Sequence, residues 1–236
     1  MEIFLAAYLS KDRNMLKAIN KGYDMHSYSA YLIFKDKWIN AGESAEPKSK
    51  PKSKEGGKMR KTIKTLTFGL LYGSGVVTFS ENANIPLSEA KILKKEYFDT
   101  FPELASFFQK SGEYALTHLY IREPFFNRVR FFNRPKNGAE TSHVKNAAMN
   151  YRPQASNGSI IKYALCLMKK YIEDNNLDNK VKLILSVYDQ NTTMVLSSFA
   201  KEWAIIQTAI MEKAAKHAVP EGTIKAETDI LDHWTK

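Results

Sequence analysis

Helical periodicity runs through most of this 236-residue sequence, and one polar segment interrupts it. On both sides of that segment, apolar side chains recur every three to four residues, as in helices that bury one face. Residues 41–58, AGESAEPKSKPKSKEGGK, contain two prolines, alternating lysine and serine, and no apolar residue larger than alanine except those prolines. Because such a segment has little to bury, we predict a mobile basic loop there and a mostly helical fold around it.

Cap and turn residues divide the periodic stretches into elements. An apolar helix is expected near the N-terminus, and Ser10 or Asp12 can cap the next one. Pro153 and Gly158 should kink or divide the longest helix. The remaining predicted helices cover residues 12–20, 25–38, 58–72, 88–99, 102–119, 141–174 and 199–218, with an irregular loop or hairpin over 122–135, a hairpin over 182–196 and a final strand over 223–231.

Composition excludes several classes of protein. No apolar run approaches the roughly 20 residues that cross a bilayer, and the N-terminus has no secretory signal pattern. The single cysteine, Cys166, rules out an internal disulfide and a cysteine metal cluster. Since Cys166 lies in the apolar run 160–167, we predict a buried, unreactive thiol in a reducing, cytoplasmic compartment.

The chain is strongly basic, and its positive charge is concentrated in one segment. The formal net charge is +10, and residues 48–64 hold eight basic side chains against the single acid Glu55. A polyanionic partner is favoured, although charge alone does not separate nucleic acid from an acidic membrane surface.

Four side chains within the basic region share one helical face. Arg60, Lys64, Phe68 and Tyr72 are each four residues apart, so on a helix they form one stripe that is cationic at one end and aromatic at the other. A nucleoside triphosphate needs cations for its phosphates and flat rings for its base and sugar. The alternative is a solvated basic face whose two rings belong to the core.

Two acidic residues are further candidates. Asp189, between Tyr188 and Gln190, lies at the tip of the predicted 182–196 hairpin, where a carboxylate can meet a hard divalent cation. Turn aspartates are also simply common. Glu2 lies just before the first apolar helix, and the alternative to a functional role is a favourable interaction of its charge with the helix dipole.

The order of these features resembles a known family. Residues 60–73, RKTIKTLTFGLLYG, are similar to the fingers-helix motif of family A DNA polymerases, in which Arg, Lys, Phe-Gly and Tyr-Gly recur at this spacing. Residues 150–162 resemble the palm helix of that family, and 183–196 resemble its last palm hairpin, which carries a His-Asp-Glu triplet. Residues 2–10 and 24–26 resemble those after its first catalytic aspartate. The chain is thus identified as a member of the DNA polymerase I-like, phage-type group.

The resemblance implies a fold and a division of the chain. We expect a mostly helical α+β fold: a fingers subdomain plus the incomplete palm of a right-hand polymerase, with a small antiparallel sheet. Residues 1–35 would be a palm remnant after the first catalytic motif, 36–140 the fingers, including the loop 41–58, and 141–236 the C-terminal part of the palm.

The resemblance also implies roles for individual residues. The dNTP-binding residues are Arg60, Lys64, Phe68, Tyr72 and Glu2, the catalytic residues are Asp189 and Lys64, and the ligand of Mg²⁺ is Asp189. DNA contacts are expected from Gly73, Asn150, Gln154, Tyr188, Arg128 and Arg130. The histidines show no metal-binding spacing and receive no role.

Departures from the family pattern change the expected function. The first catalytic aspartate should lie just before Glu2 and is absent, and the triplet reads Tyr188-Asp189-Gln190. Thr67 replaces the asparagine usual before the Phe-Gly pair. One carboxylate cannot easily hold two dications, whose repulsion needs anionic ligands.

We therefore expect the C-terminal part of a DNA-directed DNA polymerase, inactive alone. It would use primer-template DNA, dNTPs and Mg²⁺, in the cytoplasm or in a phage host's cytoplasm. A separate N-terminal chain would carry the missing aspartate and the thumb, and no membrane is involved. The alternatives are a non-catalytic nucleic-acid-binding protein derived from a polymerase, and a basic adaptor that uses the fingers helix as an interaction surface.

Overall fold

The computed structural model describes residues 1–222 and 224–233, and most of these residues are helical. The helices are α1 (Glu2–Ser10), α2 (Arg13–Asn20), α3 (Met25–Phe34), α4 (Asp36–Asn40), α5 (Lys54–Leu71), α6 (Val76–Ala83), α7 (Leu87–Thr100), α8 (Pro102–His118), α9 (Gly138–Asp174) and α10 (Ala200–Ala218). Two antiparallel hairpins pair β1 (Tyr120–Arg122) with β2 (Val129–Phe131) and β3 (Val181–Val187) with β4 (Gln190–Val195). The predicted mostly helical α+β class is confirmed.

Side-chain caps set where several helices begin. The Asp12 carboxylate accepts hydrogen bonds from the backbone N–H groups of Asn14 and Met15, both at 3.1 Å, and starts α2. The Ser53 hydroxyl accepts from Gly56 N–H at 3.0 Å and starts α5. Such caps satisfy donors that have no partner inside the helix.

Because α5 begins directly after Ser53, the predicted loop 41–58 was too long: its last five residues are helical.

The segment before α5 is held by backbone acceptors. The Pro47 carbonyl accepts a hydrogen bond from Asp24 N–H at 2.8 Å, and the Ser44 carbonyl accepts one from the indole N–H of Trp38 at 2.8 Å. Pro47 is itself buried. The composition contained no signal for these contacts, since the anchoring groups belong to the main chain.

The chain divides into two compact units. The larger unit comprises residues 2–122 and 129–153, which include α1 to α8, the β1–β2 hairpin and the first part of α9. Its core is rich in large side chains, of which Trp38, Tyr97, Phe101 and Phe108 are almost completely buried. In this unit α3 contacts both α5 and α7, so the core supports the inner face of α5.

The smaller unit contains Met1, residues 123–128 and the described residues from 154 onward. It holds the second half of α9, the β3–β4 hairpin and α10. In α9 the buried residues Ile160, Ala164, Met168 and Ile172 recur every four positions. Cys166 lies off that face and is exposed, so the prediction of a buried thiol is wrong.

Other predictions fail for local reasons. The predicted helix 25–38 is broken at Lys35, whose φ is 44°. The predicted division of the longest helix does not occur, because α9 continues through Pro153 without interruption. Helix α6 was not predicted. Residues 224–231 form no strand; Ala226 N–H donates to Glu212 of α10 at 3.4 Å, so this segment contacts a helix rather than a sheet edge. Thr223, the first residue of the predicted strand, lies outside the described residues.

Within the described ranges, no helix combines the length and the apolar character needed to span a membrane.

Candidate functional site

Helix α5 presents the predicted stripe because its other face is fixed in the core. Ile63, Leu66 and Leu70 are buried at helical spacing. The side chains of Lys64 and Tyr72 are exposed, Tyr72 to 56%. The interpretation of both rings as core residues therefore does not hold for Tyr72.

Rings and cation meet on this face. Phe68 and Tyr72 are stacked, with ring centres 6.2 Å apart and planes inclined by 15°. The ammonium nitrogen of Lys64 lies 5.7 Å from the centre of the Phe68 ring. On its other side Phe68 contacts His26, with ring centres 5.6 Å apart. The structure thus brings together the three residues Lys64, Phe68 and Tyr72, as the spacing predicted.

The fourth residue of the stripe, Arg60, is paired with a carboxylate that the sequence reasoning missed. Its Nε and Nη2 donate to Oδ1 and Oδ2 of Asp24 at 2.8 and 2.9 Å, a bidentate ion pair. Asp24 also caps α3 by accepting from Ser27 N–H and Ser27 Oγ–H. Burial alone would raise the pKa of Asp24, but the hydrogen bonds from Arg60 and Ser27 outweigh it and hold that pKa well below its usual range. Asp24 is ionised at neutral pH.

His26 is a second residue at this site that received no role from the sequence. It is buried, and its Nδ1 has no hydrogen-bond partner among the described residues. Burial, and then the positive charge of Arg60, lower the pKa of His26 to about 4. The ring is neutral at pH 7, which leaves one nitrogen able to accept or donate a hydrogen bond. Its sequence signal is the resemblance of residues 24–26 to those after the family's first catalytic aspartate.

Gly73 allows the turn after α5 to approach α9 closely. Its φ is +74°, and a Cβ at this position would lie 2.5 Å from Nδ2 of Asn150 and 3.3 Å from Cβ of Asn146. Asn150 is buried, and its Oδ1 accepts no hydrogen bond from the described part of the chain. Two residues predicted to contact DNA, Gly73 and Asn150, are therefore neighbours.

Two further predicted residues of the larger unit lie on other elements. Glu2 is in the first turn of α1, half-buried, and its Oε2 is buried with no hydrogen-bond partner among residues 1–222 and 224–233. Arg130 is exposed on β2, with its guanidinium carbon 5.4 Å from the ring centre of Phe132.

The smaller unit carries the remaining predicted residues. Tyr188, with φ of 53° and 84% exposed, and Asp189 form the turn between β3 and β4. The Asp189 side chain is 54% exposed, and its Oδ2 lies 3.7 Å from the amino nitrogen of Met1. Arg128 donates from Nη1 to Ser159 Oγ at 3.3 Å, and Gln154 is half-buried on α9. The predicted hairpin with Asp189 at its tip is thus present.

The oxygen ligands around Asp189 decide whether this chain alone can hold Mg²⁺. Asp189 is the single carboxylate in the β3–β4 turn, and its near charged neighbour is an ammonium group. Across the described part of the chain, no three side chains from His, Cys, Asp and Glu converge as a metal site requires. These residues alone do not fit a magnesium centre, which needs several oxygen ligands.

Comparison with known protein families matches DNA polymerase family A over residues 1–236. The chain belongs to DNA polymerase family A. It is 26% identical over 238 residues to the thermostable DNA polymerase I of Thermus thermophilus, covering 99% of this chain and 26% of that protein. It is 26% identical over 226 residues to DNA polymerase I of Treponema pallidum, covering 93% of this chain and 21% of that protein. The chain therefore spans about a quarter of the length of these relatives.

A solved structure shows the same fold. The POL domain of Pol1 from M. smegmatis, in complex with a DNA primer-template and dNTP, superposes with a TM-score of 0.76 at 24% identity, covering 90% of this chain and 35% of that chain. The polymerase fold predicted from the sequence is confirmed. The phage-type assignment has no support from these relatives, which are bacterial proteins.

Proposed function

We propose that this family A chain is part of a DNA-directed DNA polymerase that transfers nucleotides from dNTPs to a primer 3′ hydroxyl. Residues 36–140 act as fingers, and residues 1–35 and 141–236 contribute to the palm. The observation that carries the proposal is the exposed face of α5, where a lysine and two stacked rings lie together beside a paired arginine.

On this proposal the face of α5 binds the incoming dNTP. Lys64 is free to approach a phosphate, while Phe68 and Tyr72 offer flat surfaces to the sugar and base. Arg60 can take part without leaving Asp24, because a guanidinium has five N–H donors and the pair with Asp24 uses two of them. Glu2, with a buried oxygen that lacks a partner, is proposed to lie against the sugar of the nucleotide.

DNA contacts are proposed on α9 and the two hairpins. Asn150 and Gln154 are four residues apart on α9, so they share a face that can reach minor-groove acceptors common to all base pairs. Gly73 and Tyr188 are proposed to contact the template. The exposed guanidiniums of Arg128 and Arg130 are proposed to bind the backbone, where neutralised phosphates give a salt-sensitive affinity.

Asp189 is proposed as the one Mg²⁺ ligand of this chain. Because Asp189 belongs to no group of three or more metal-ligating side chains among the described residues, the proposal takes the other ligands from elsewhere. We propose that a polymerase segment other than residues 1–236 supplies them, together with the thumb. The same lone carboxylate favours the second candidate function, a non-catalytic nucleic-acid-binding protein derived from a polymerase.

A primer-extension experiment separates these proposals. The chain is assayed on primed DNA with Mg²⁺ and one dNTP, alone and with an N-terminal family A segment that carries the first catalytic aspartate. We expect no extension alone and templated extension with the added segment. Asp189→Asn should lower the extension rate by several orders of magnitude while DNA binding is kept, since a neutral amide is a poor Mg²⁺ ligand. Asp229→Asn, at an exposed aspartate, is the control.

Three results would contradict parts of the proposal. Extension by the chain alone would show that the added N-terminal segment is not needed for nucleotide transfer. Near-normal extension by Asp189→Asn would show that the hairpin is not the metal site. DNA binding without extension, even when the added segment is present and known to be competent, would favour the non-catalytic alternative.

A further inference from the structure

The β1–β2 hairpin carries a row of aromatic rings that the site on α5 does not use. His118 stacks on Tyr114 with ring centres 4.1 Å apart, and Tyr114 meets Tyr120 edge to face at 5.6 Å. Tyr120 pairs across the hairpin with Phe131, whose ring centre lies 6.3 Å away. The hydroxyls of Tyr114 and Tyr120 are joined by a hydrogen bond of 2.8 Å. The row is therefore ordered by its own contacts up to Phe131.

Phe131 ends this row and is 78% exposed. It cannot be explained as a core residue, because its neighbour Phe132 supplies that function: Phe132 packs against the cluster that contains Ala115, Ile121 and Val144. Successive side chains of a strand point to opposite faces, so the anchoring of Phe132 directs Phe131 outward. Single exposed apolar side chains are common on protein surfaces, so the Phe131 ring indicates a binding role only together with the charge around it.

The charge around Phe131 selects the class of partner. Residues 129–137, VRFFNRPKN, contain three cations, Arg130, Arg134 and Lys136, and no acid. All three are exposed. The nearest acid after this stretch, Glu140, is occupied in capping α9, where it accepts hydrogen bonds from Lys136 N–H and the Asn137 amide. An apolar peptide would account for the ring but not for the charge, whereas unpaired nucleotides account for both. An acidic membrane surface would also attract both, and membership of DNA polymerase family A favours nucleic acid over it.

We propose that the β1–β2 hairpin binds single-stranded DNA, with Phe131 stacking on an unpaired base and Arg134 and Lys136 binding the flanking phosphates. A ring of this kind can stack on a base only when the base is unpaired, whereas phosphates are equally available in duplexes. The proposal goes beyond nucleotide transfer and rests on the proposed function only in taking DNA as the nucleic acid.

The test compares single-stranded and duplex DNA without any dNTP. The full chain is titrated into fluorescein-labelled (dT)₁₂, into a 12-base-pair duplex, and into an oligonucleotide that contains 2-aminopurine, whose fluorescence falls on stacking. Phe131→Ala should weaken single-strand binding about fivefold or more and remove the 2-aminopurine quenching, while duplex binding changes less than twofold. Phe131→Trp should keep both, and Ile92→Ala, which truncates an exposed apolar residue of the same unit, should change neither.

The salt dependence of binding tests the proposed contacts between the basic side chains and the phosphates. Arg134→Gln should reduce the slope of log affinity against log salt by about 0.7 for single strands, whereas Phe131→Ala should leave the slope unchanged. Equal single-strand affinities of wild type and Phe131→Ala, or an equal loss for single strand and duplex, would overturn the proposal. Because no nucleotide is added and Lys64 is untouched, failure here is distinct from failure of the site on α5.

Discussion

Substituting Gly73 by alanine tests the close approach of α5 and α9 quantitatively. The backbone φ of +74° costs an L-residue about 1 to 2 kcal/mol. A Cβ would also lie 2.5 Å from Nδ2 of the buried Asn150, closer than real side chains approach, and overpacking of this kind costs about 1 to 3 kcal/mol. Alanine recovers about 0.4 to 1 kcal/mol through the unfolded chain. We therefore expect Gly73→Ala to lower the free energy of unfolding by about 1 to 5 kcal/mol.

Urea denaturation of the single and double variants separates the two causes. Asn150→Ala removes the clash but not the backbone strain, so the double variant should recover only the overpacking part of the loss. The control is Gly57→Ala, within α5, where a Cβ meets nothing within 4 Å. It should raise stability by about 0.5 to 1 kcal/mol. A Gly73→Ala protein as stable as wild type, or a loss that Asn150→Ala does not relieve, would refute the reasoning.

Two further predictions concern elements that support the site. Asp24→Asn keeps a capping side chain but loses the charge facing Arg60, so it should cost about 1 to 3 kcal/mol at pH 7. Because the folded-state pKa of Asp24 is depressed, this contribution is complete above the ordinary carboxyl pKa of about 4 and is lost as pH falls below it. The difference in Tm between wild type and Asp24→Asn should therefore shrink from pH 7 to pH 3; a constant difference would contradict the assignment. Deleting residues 44–49 removes the acceptor of the buried Trp38 indole and should lower Tm by several degrees in a thermal melt, whereas an unchanged Tm would show that the segment is dispensable.

What the sequence predicted well were features that depend on neighbours along the chain. Four-residue spacing predicted that Lys64, Phe68 and Tyr72 share a face, and a polar break between two β-branched runs predicted the hairpin that ends at Asp189. These follow from helix and strand periodicity alone.

What could not be predicted depends on contacts between distant segments. Asp24 and Arg60 are 36 residues apart, and nothing local to either residue reports their pairing. The anchoring of residues 44–47 uses main-chain carbonyls, which no residue type reveals. The exposure of Cys166 follows from which face of α9 its neighbours bury, and an apolar sequence run does not specify that face.

The affinity of the chain for a nucleotide tests the central claim, that the exposed face of α5 binds the triphosphate. The dissociation constant for dATP is measured by titration calorimetry on wild type, Lys64→Ala and Lys58→Ala. Lys58 is an exposed lysine of α5 six residues before Lys64, and its side chain leaves the helix about 120° around the axis from that of Lys64. A hydrogen bond to a charged partner contributes about 1.5 to 3 kcal/mol, so Lys64→Ala should weaken binding about ten- to a hundredfold, while Lys58→Ala should change it less than twofold. Equal affinities of the Lys64→Ala and Lys58→Ala proteins would contradict the claim.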